Sequence, residues 1–155
     1  MKTRSVFSLI ICSVCFSAPT FGNSSVFQST MDSSVQLNAA ETAKYQHIKH
    51  FSGALQTKLI SINENSFSQG SVQLELFDGV QNNFEVQKDE HGTVWKGKGT
   101  NLDRFVIQKI NGKYSGQILY KGRQYVLTPV KEGVSALYEM TLDIKCGMDA
   151  LKRTR

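Results

Sequence analysis

The most constraining feature of the chain is the Asn111-Gly112 pair, which separates two runs of alternating apolar and polar residues at 105–110 and 113–120. A two-residue connection between such runs closes a β-hairpin in a type I′ turn, where both central residues take positive φ, and Asn-Gly accepts this readily. Lys121-Gly122 repeats the device ahead of a run at 123–128, which Pro129 is expected to stop. Upstream, a first strand is predicted at 55–62. In a second, Val72, Leu74 and Leu76 alternate with Gln73 and Glu75 up to Asp78-Gly79, and runs at 84–88 and 93–98 flank His91-Gly92. The last strand reads as a stripe of Tyr138, Met140, Leu142, Ile144 and Cys146 facing inward, with Glu139, Thr141, Asp143 and Lys145 on the opposite face. Roughly seven or eight short strands joined by hairpins predict an all-β fold, an antiparallel meander forming a sandwich or an open barrel.

The N-terminal third is built differently. Lys2 and Arg4 precede an apolar stretch from Val6 to Phe16, and small or turn-forming residues follow as far as Gly22, which is the pattern of a secretory signal peptide over residues 1–22. Thr20 and Gly22 suit cleavage before Asn23, so a secreted or periplasmic location is expected. Ile11 before Cys12 and Val14 before Cys15 do not suit lipid attachment, and no later stretch is long and apolar enough to span a bilayer, so no stable membrane anchor is expected. Residues 23–36, rich in Ser, Thr, Asn and Gln without periodicity, read as a flexible leader. Asn38 with Glu41 makes an N-terminal capping pattern, and Ala40, Ala43, Ile48 and Phe51 can share one face of a short helix over 39–50. The β domain then occupies 37–146, and 147–155 form a basic C-terminal tail.

Composition supports one packed core: of 155 residues, 40% are hydrophobic and 20% charged, which excludes a disordered or collagenous chain. Loss of Lys2 and Arg4 with the signal lowers the formal net charge from +5 to about +3. The remaining Lys and Arg are scattered among strands except at Lys152, Arg153 and Arg155, so no nucleic-acid partner is expected. Cys146 is the single cysteine left after export, which leaves it buried, intermolecular or a ligand.

Catalytic patterns are missing. Of His47, His50 and His91, only the first two are near one another in sequence, and no His-Glu-x-x-His pattern accompanies them. No Gly-x-Ser-x-Gly elbow, phosphate loop or dinucleotide fingerprint occurs. Asp78, Asp89, Glu90 and Asp103 sit at turn-like places and read as turn formers. Trp95, Tyr114, Tyr120, Tyr125 and Tyr138 lie within strands, where aromatic side chains pack a half-buried sheet face, and Trp95 in particular is expected to be buried. No catalytic residue and no cofactor is assigned.

The segment 71–140 carries SVQLELFDGV, then GTVWKGKG, then KINGKYSGQILYKGRQYVLTPVKEGVSALYEM. This order resembles the N-terminal propeptide domain of secreted reprolysin-like zinc metallopeptidases, including the bacterial peptidyl-Asp type. The resemblance rests on Leu74, Leu76, Phe77, Asp78, Gly79, Trp95, Gly97, Ser115, Gly116, Gln117, Ile118, Gly122, Tyr125, Leu127 and Pro129. It implies a propeptide-like domain that binds, inhibits or assists folding of a zinc metallopeptidase catalytic domain, meeting it by a sheet edge or the C-terminal segment through strand addition. The zinc-binding histidine motif of such a catalytic domain is not in this sequence, so no peptidase residue is carried over.

Cys146-Gly147-Met148-Asp149 is similar to the Cys-Gly-x-x-Asp core of the cysteine switch in matrix-type metalloproteinase propeptides, with Lys145 and Ala150 at flanking positions. That similarity implies Cys146 as a zinc ligand in trans, supplying a thiolate to the partner's metal. Its place at the end of the Tyr138 stripe implies instead a small buried hydrophobe. An exported β-sandwich binding module for an unrelated host or envelope protein is the competing function, and the sequence leaves the oligomeric state open.

Overall fold

Asn111 and Gly112 have φ of 50° and 72°, and Lys121 and Gly122 have φ of 48° and 74°, so both expected two-residue turns take the left-handed conformation. For Lys121 that conformation is costly, and it is held by its backbone N–H, which donates to Asp103 Oδ1 at 2.8 Å. Asp103 lies in the turn just before the 104–110 run and thereby ties that hairpin to the one closed by Lys121-Gly122.

The computed structural model describes residues 25–30, 35–77, 79 and 81–141. Its strands are β1 (Phe27–Ser29), β2 (Ala54–Ile62), β3 (Ser71–Glu75), β4 (Gln81–Lys88), β5 (Val94–Lys98), β6 (Arg104–Ile110), β7 (Lys113–Tyr120), β8 (Arg123–Lys131) and β9 (Val134–Met140). They form one antiparallel sheet in the order β1-β2-β9-β8-β7-β6-β5-β4-β3. The two ends of this order meet where the Val26 N–H donates to the Gln73 carbonyl at 2.9 Å, so the sheet is a nearly closed barrel. The expected all-β meander is therefore present, as a barrel rather than two stacked sheets. Helix α1 (Ala39–Lys49) carries the expected cap: Asn38 Oδ1 accepts from the Glu41 N–H, and Glu41 Oε2 accepts from the Asn38 N–H, each at 2.9 Å.

Four details differ from the sequence reading. Val26 and Phe27, within the stretch read as a flexible leader, are buried in the core, and Phe27 begins β1. In α1 the buried pair is Tyr45 and Ile48, while Ala40 and Ala43 are exposed and Phe51 is 45% exposed. Tyr45 and Ile48 pack on Leu59, Val130, Val134 and Ala136, covering the outer face of β2, β8 and β9. Pro129 does not stop β8. The strand continues to Lys131 through a register shift after the Pro129–Ser135 pair, and such an irregularity accommodates a residue without an N–H. Finally, the inward face of β9 is the opposite of the one expected. Leu137 joins the barrel core and Glu139 is buried beside it, whereas Tyr138 packs with the α1 cluster outside. Under α1 the outer face of β9 is apolar (Val134, Ala136, Tyr138), while its inward face carries the buried polar Ser135 and Glu139 beside Leu137, which inverts the signal that alternation relies on.

Trp95, Phe84, Phe105, Ile107, Ile118, Leu127 and Leu137 fill the barrel. Tight packing explains Gly97: a Cβ there would strike the Phe105 ring. The 3-10 helix Glu64–Gln69 closes the upper end, where the turns after β4, β6 and β8 also lie, and inserts Phe67 between Trp95 and Phe105.

Candidate binding surface

Among the described residues the inward positions of the barrel are occupied largely by bulky side chains. Trp95 is 0% exposed, as expected from the sequence, and Tyr114, Tyr120 and Tyr125 are buried.

At the upper end, Lys109 Nζ donates to Glu64 Oε2 at 2.5 Å and Tyr114 Oη donates to the same oxygen at 2.8 Å. The Lys109 hydrogen bond holds the Glu64 carboxyl below its usual range against the opposing effect of burial. Burial pushes the Tyr114 hydroxyl up, with the Glu64 hydrogen bond and charge adding to it, and the hydrogen bond to Glu64 raises Lys109. Each member is satisfied by the others, so the cluster is a clasp between the 3-10 helix and the β6–β7 hairpin.

At the lower end Glu139 points into the barrel, 5% exposed. Its carboxylate accepts from Gln56 Nε2 at 2.6 Å and more distantly from Arg123 Nη1 at 3.4 Å. Lys58 Nζ donates to the Leu76 carbonyl at 2.6 Å and lies 5.2 Å from the centre of the Phe77 ring. These polar groups form a layer over the aromatic core, and a depression of about 600 Å³ between Leu55, Arg123 and Met140 opens above them.

The outer wall is divided. Over β2, β8 and β9 it is covered by α1, and over β6, β7 and β8 it carries a groove of about 670 Å³ in which Val106, Leu119 and Val126 are flanked by Gln108, Gln117 and Gln124. Alternation places these residues outward because Phe105, Ile107, Ile118, Tyr125 and Leu127 fill the inward positions. Next to the groove, the turn from β5 to β6 holds Leu102 at φ 71° and 83% exposed. For a leucine, a backbone in the left-handed region is unfavourable.

Cys146, the one expected metal ligand, lies outside the described residues, as does Asp78. His47 is exposed on α1, and His50 Nδ1 lies 2.8 Å from the Gln46 carbonyl at the end of the same helix. Among the described residues no three His, Cys, Asp or Glu side chains gather to hold a metal ion. Asp89 is a turn former: its carboxylate accepts from the backbone N–H groups of Val94 and Thr93, which hold its carboxyl below the ordinary range. The sequence reading missed Leu102 and the outward basic pair Lys96 and Lys98, although the alternation in Trp95-Lys96-Gly97-Lys98 already put both lysines opposite the buried Trp95. No helix among the described residues is long and apolar enough to cross a membrane. Compared with known proteins, the chain matches no family model, and no curated protein or solved structure matches it significantly.

Proposed function

We propose that this chain is an exported, propeptide-like barrel that binds a zinc metallopeptidase catalytic domain and thereby inhibits it or assists its folding. The observation that carries the binding-module part is the filled interior: with Trp95, Phe67, Phe84 and Phe105 packed against one another, the barrel works through its outside. The choice of partner rests on the resemblance in the segment 71–140, above all Trp95-x-Gly97 and the hairpin running from Ser115 to Pro129. Gly97 also has a packing role within the barrel, since a Cβ there would strike the Phe105 ring.

Strand addition at the sheet edge is the less suitable mode. The edge strands β1 and β3 face one another across the seam closed by Val26 and Gln73, which leaves little free backbone for an added strand. An outer face fits the partner better, with the thiol of Cys146 as a second contact to the partner's zinc.

Titration of a reprolysin-like zinc catalytic domain with the purified chain lacking residues 1–22 tests the proposal. A one-to-one complex with falling peptidase activity, or a raised refolding yield, is the expected result. Neither complex nor effect on activity or refolding would overturn the choice of partner and leave the unrelated host or envelope protein as the occupant.

A further inference from the structure

Outward positions on β5 through β8 follow from the register. One row across the sheet is Lys98, Arg104, Leu119 and Gln124, and the next is Lys96, Val106, Gln117 and Val126. In each row basic side chains at one edge give way to aliphatic and amide side chains, and no carboxylate stands at any outward position of these four strands. The nearest acid in the first row is Glu85 on β4, directly across from Lys98. Lys96, Lys98 and Arg104 are all exposed. The wall is thus positive along one side, apolar in its groove and uncovered by any described element, while α1 covers the wall beside it.

Leu102 gives a second and independent sign. It lies two residues before Arg104, which begins β6, it is 83% exposed, and its left-handed backbone opposes folding. The turn thus presents an exposed apolar side chain to a partner.

We propose that the outer face of β5 to β8, rimmed by Leu102, is a docking surface for an acidic protein segment that bears aliphatic side chains. Carboxylates would meet Lys96, Lys98 and Arg104, and the aliphatic groups would settle on Val106, Leu119 and Val126. A nucleic acid is the poorer fit, because the strand aromatics Trp95, Phe105, Tyr114, Tyr120 and Tyr125 are buried and no stacking platform faces outward on these strands. The inference deepens the binding-module reading and rests on it.

The probe is a fluorescent peptide of roughly twelve alternating Glu and Leu residues, followed by anisotropy with the whole chain lacking residues 1–22 and compared with Gln–Leu and Lys–Leu counterparts and with oligo(dT). The expected result is that the Glu–Leu peptide binds about tenfold more tightly than either counterpart and that Lys98→Glu with Arg104→Glu removes this preference. Leu102→Ser and Val106→Ser should each weaken binding about fivefold, and Lys49→Glu on α1 should leave it unchanged. Equal binding of the three peptides, indifference to Lys98→Glu with Arg104→Glu, or oligo(dT) binding as tightly as the Glu–Leu peptide would overturn it. The same variants separate the two proposals. A catalytic domain bound equally by wild type and Lys98→Glu/Arg104→Glu, with no Glu–Leu preference in either, would refute this surface and leave the module reading standing. A Glu–Leu preference present in wild type and lost in Lys98→Glu/Arg104→Glu, with no catalytic-domain complex by either protein, would support the surface and refute the metallopeptidase as partner.

Discussion

Phe67 lies on Trp95 with ring centroids 4.7 Å apart and 17° between the planes, so a residue from the 3-10 helix is stacked on one from the β5 strand deep in the barrel. Lys88 Nζ is 5.7 Å from the centre of the Trp95 ring, and Tyr114 and Phe105 complete the surrounding aromatic contacts. The lid and the core are one packing unit.

Trp95→Ala should therefore cost about 3 to 5 kcal/mol, and Phe67→Ala a similar amount, measured by urea unfolding. A double-mutant cycle between Phe67→Leu and Trp95→Phe should show a coupling of about 0.5 to 1.5 kcal/mol beyond the single effects. Additive losses would mean that the stack contributes only buried area.

Acidification should loosen the upper end. The Glu64 carboxyl is held low in the folded chain by Lys109, so its contribution is present above the unfolded pKa of a glutamate, near 4.5, and is lost as pH falls through the folded value. Glu64→Gln should flatten this part of the acid branch of a stability profile and leave stability near neutrality lower than wild type. An acid branch identical in the two proteins would show that the Glu64, Lys109 and Tyr114 clasp does not couple to folding.

Starting the chain at residue 37 should lower the thermal midpoint, because Val26 at 0% and Phe27 at 2% exposure are core residues and Val26 makes the seam hydrogen bond to Gln73. Phe27→Ala alone should cost about 3 to 5 kcal/mol in the full chain. A truncated chain as stable as the full one would restore the reading of 23–36 as a flexible leader.

Asp103→Ala should destabilise by about 1 to 3 kcal/mol, since it removes the acceptor for the Lys121 N–H in a turn already in the left-handed region. Lys121→Gly in that background should recover part of the loss by relieving the conformation, which a urea midpoint series would read directly.

How much of this was legible depended on whether the signal was local. Asn111-Gly112, Lys121-Gly122 and the Asn38 to Glu41 cap are decided within a few residues, and they appear as expected. The meander followed because consecutive hairpins leave few alternatives for seven strands in a row. What failed was set by distant contacts. β1 is three residues long and is recruited by β2 and by Gln73, far away in sequence, so its own composition gave no period to detect. The inward face of β9 was reversed because α1 covers the apolar Val134, Ala136 and Tyr138 on the outer side, while two of the inward residues, Ser135 and Glu139, are polar and buried. Of the candidate surface, the outward lysines around Trp95 were readable from alternation, whereas the positive φ of Leu102 arises from the turn geometry between β5 and β6 and has no pattern in sequence.

Amide hydrogen exchange on the chain lacking residues 1–22, alone and mixed with a reprolysin-like zinc catalytic domain, tests the central claim most directly. The account predicts slowed exchange over the turn at 99–103 and over β6, β7 and β8, with α1 unchanged. Slowing confined to α1 or to the barrel ends, or none at all at concentrations that saturate inhibition, would contradict it.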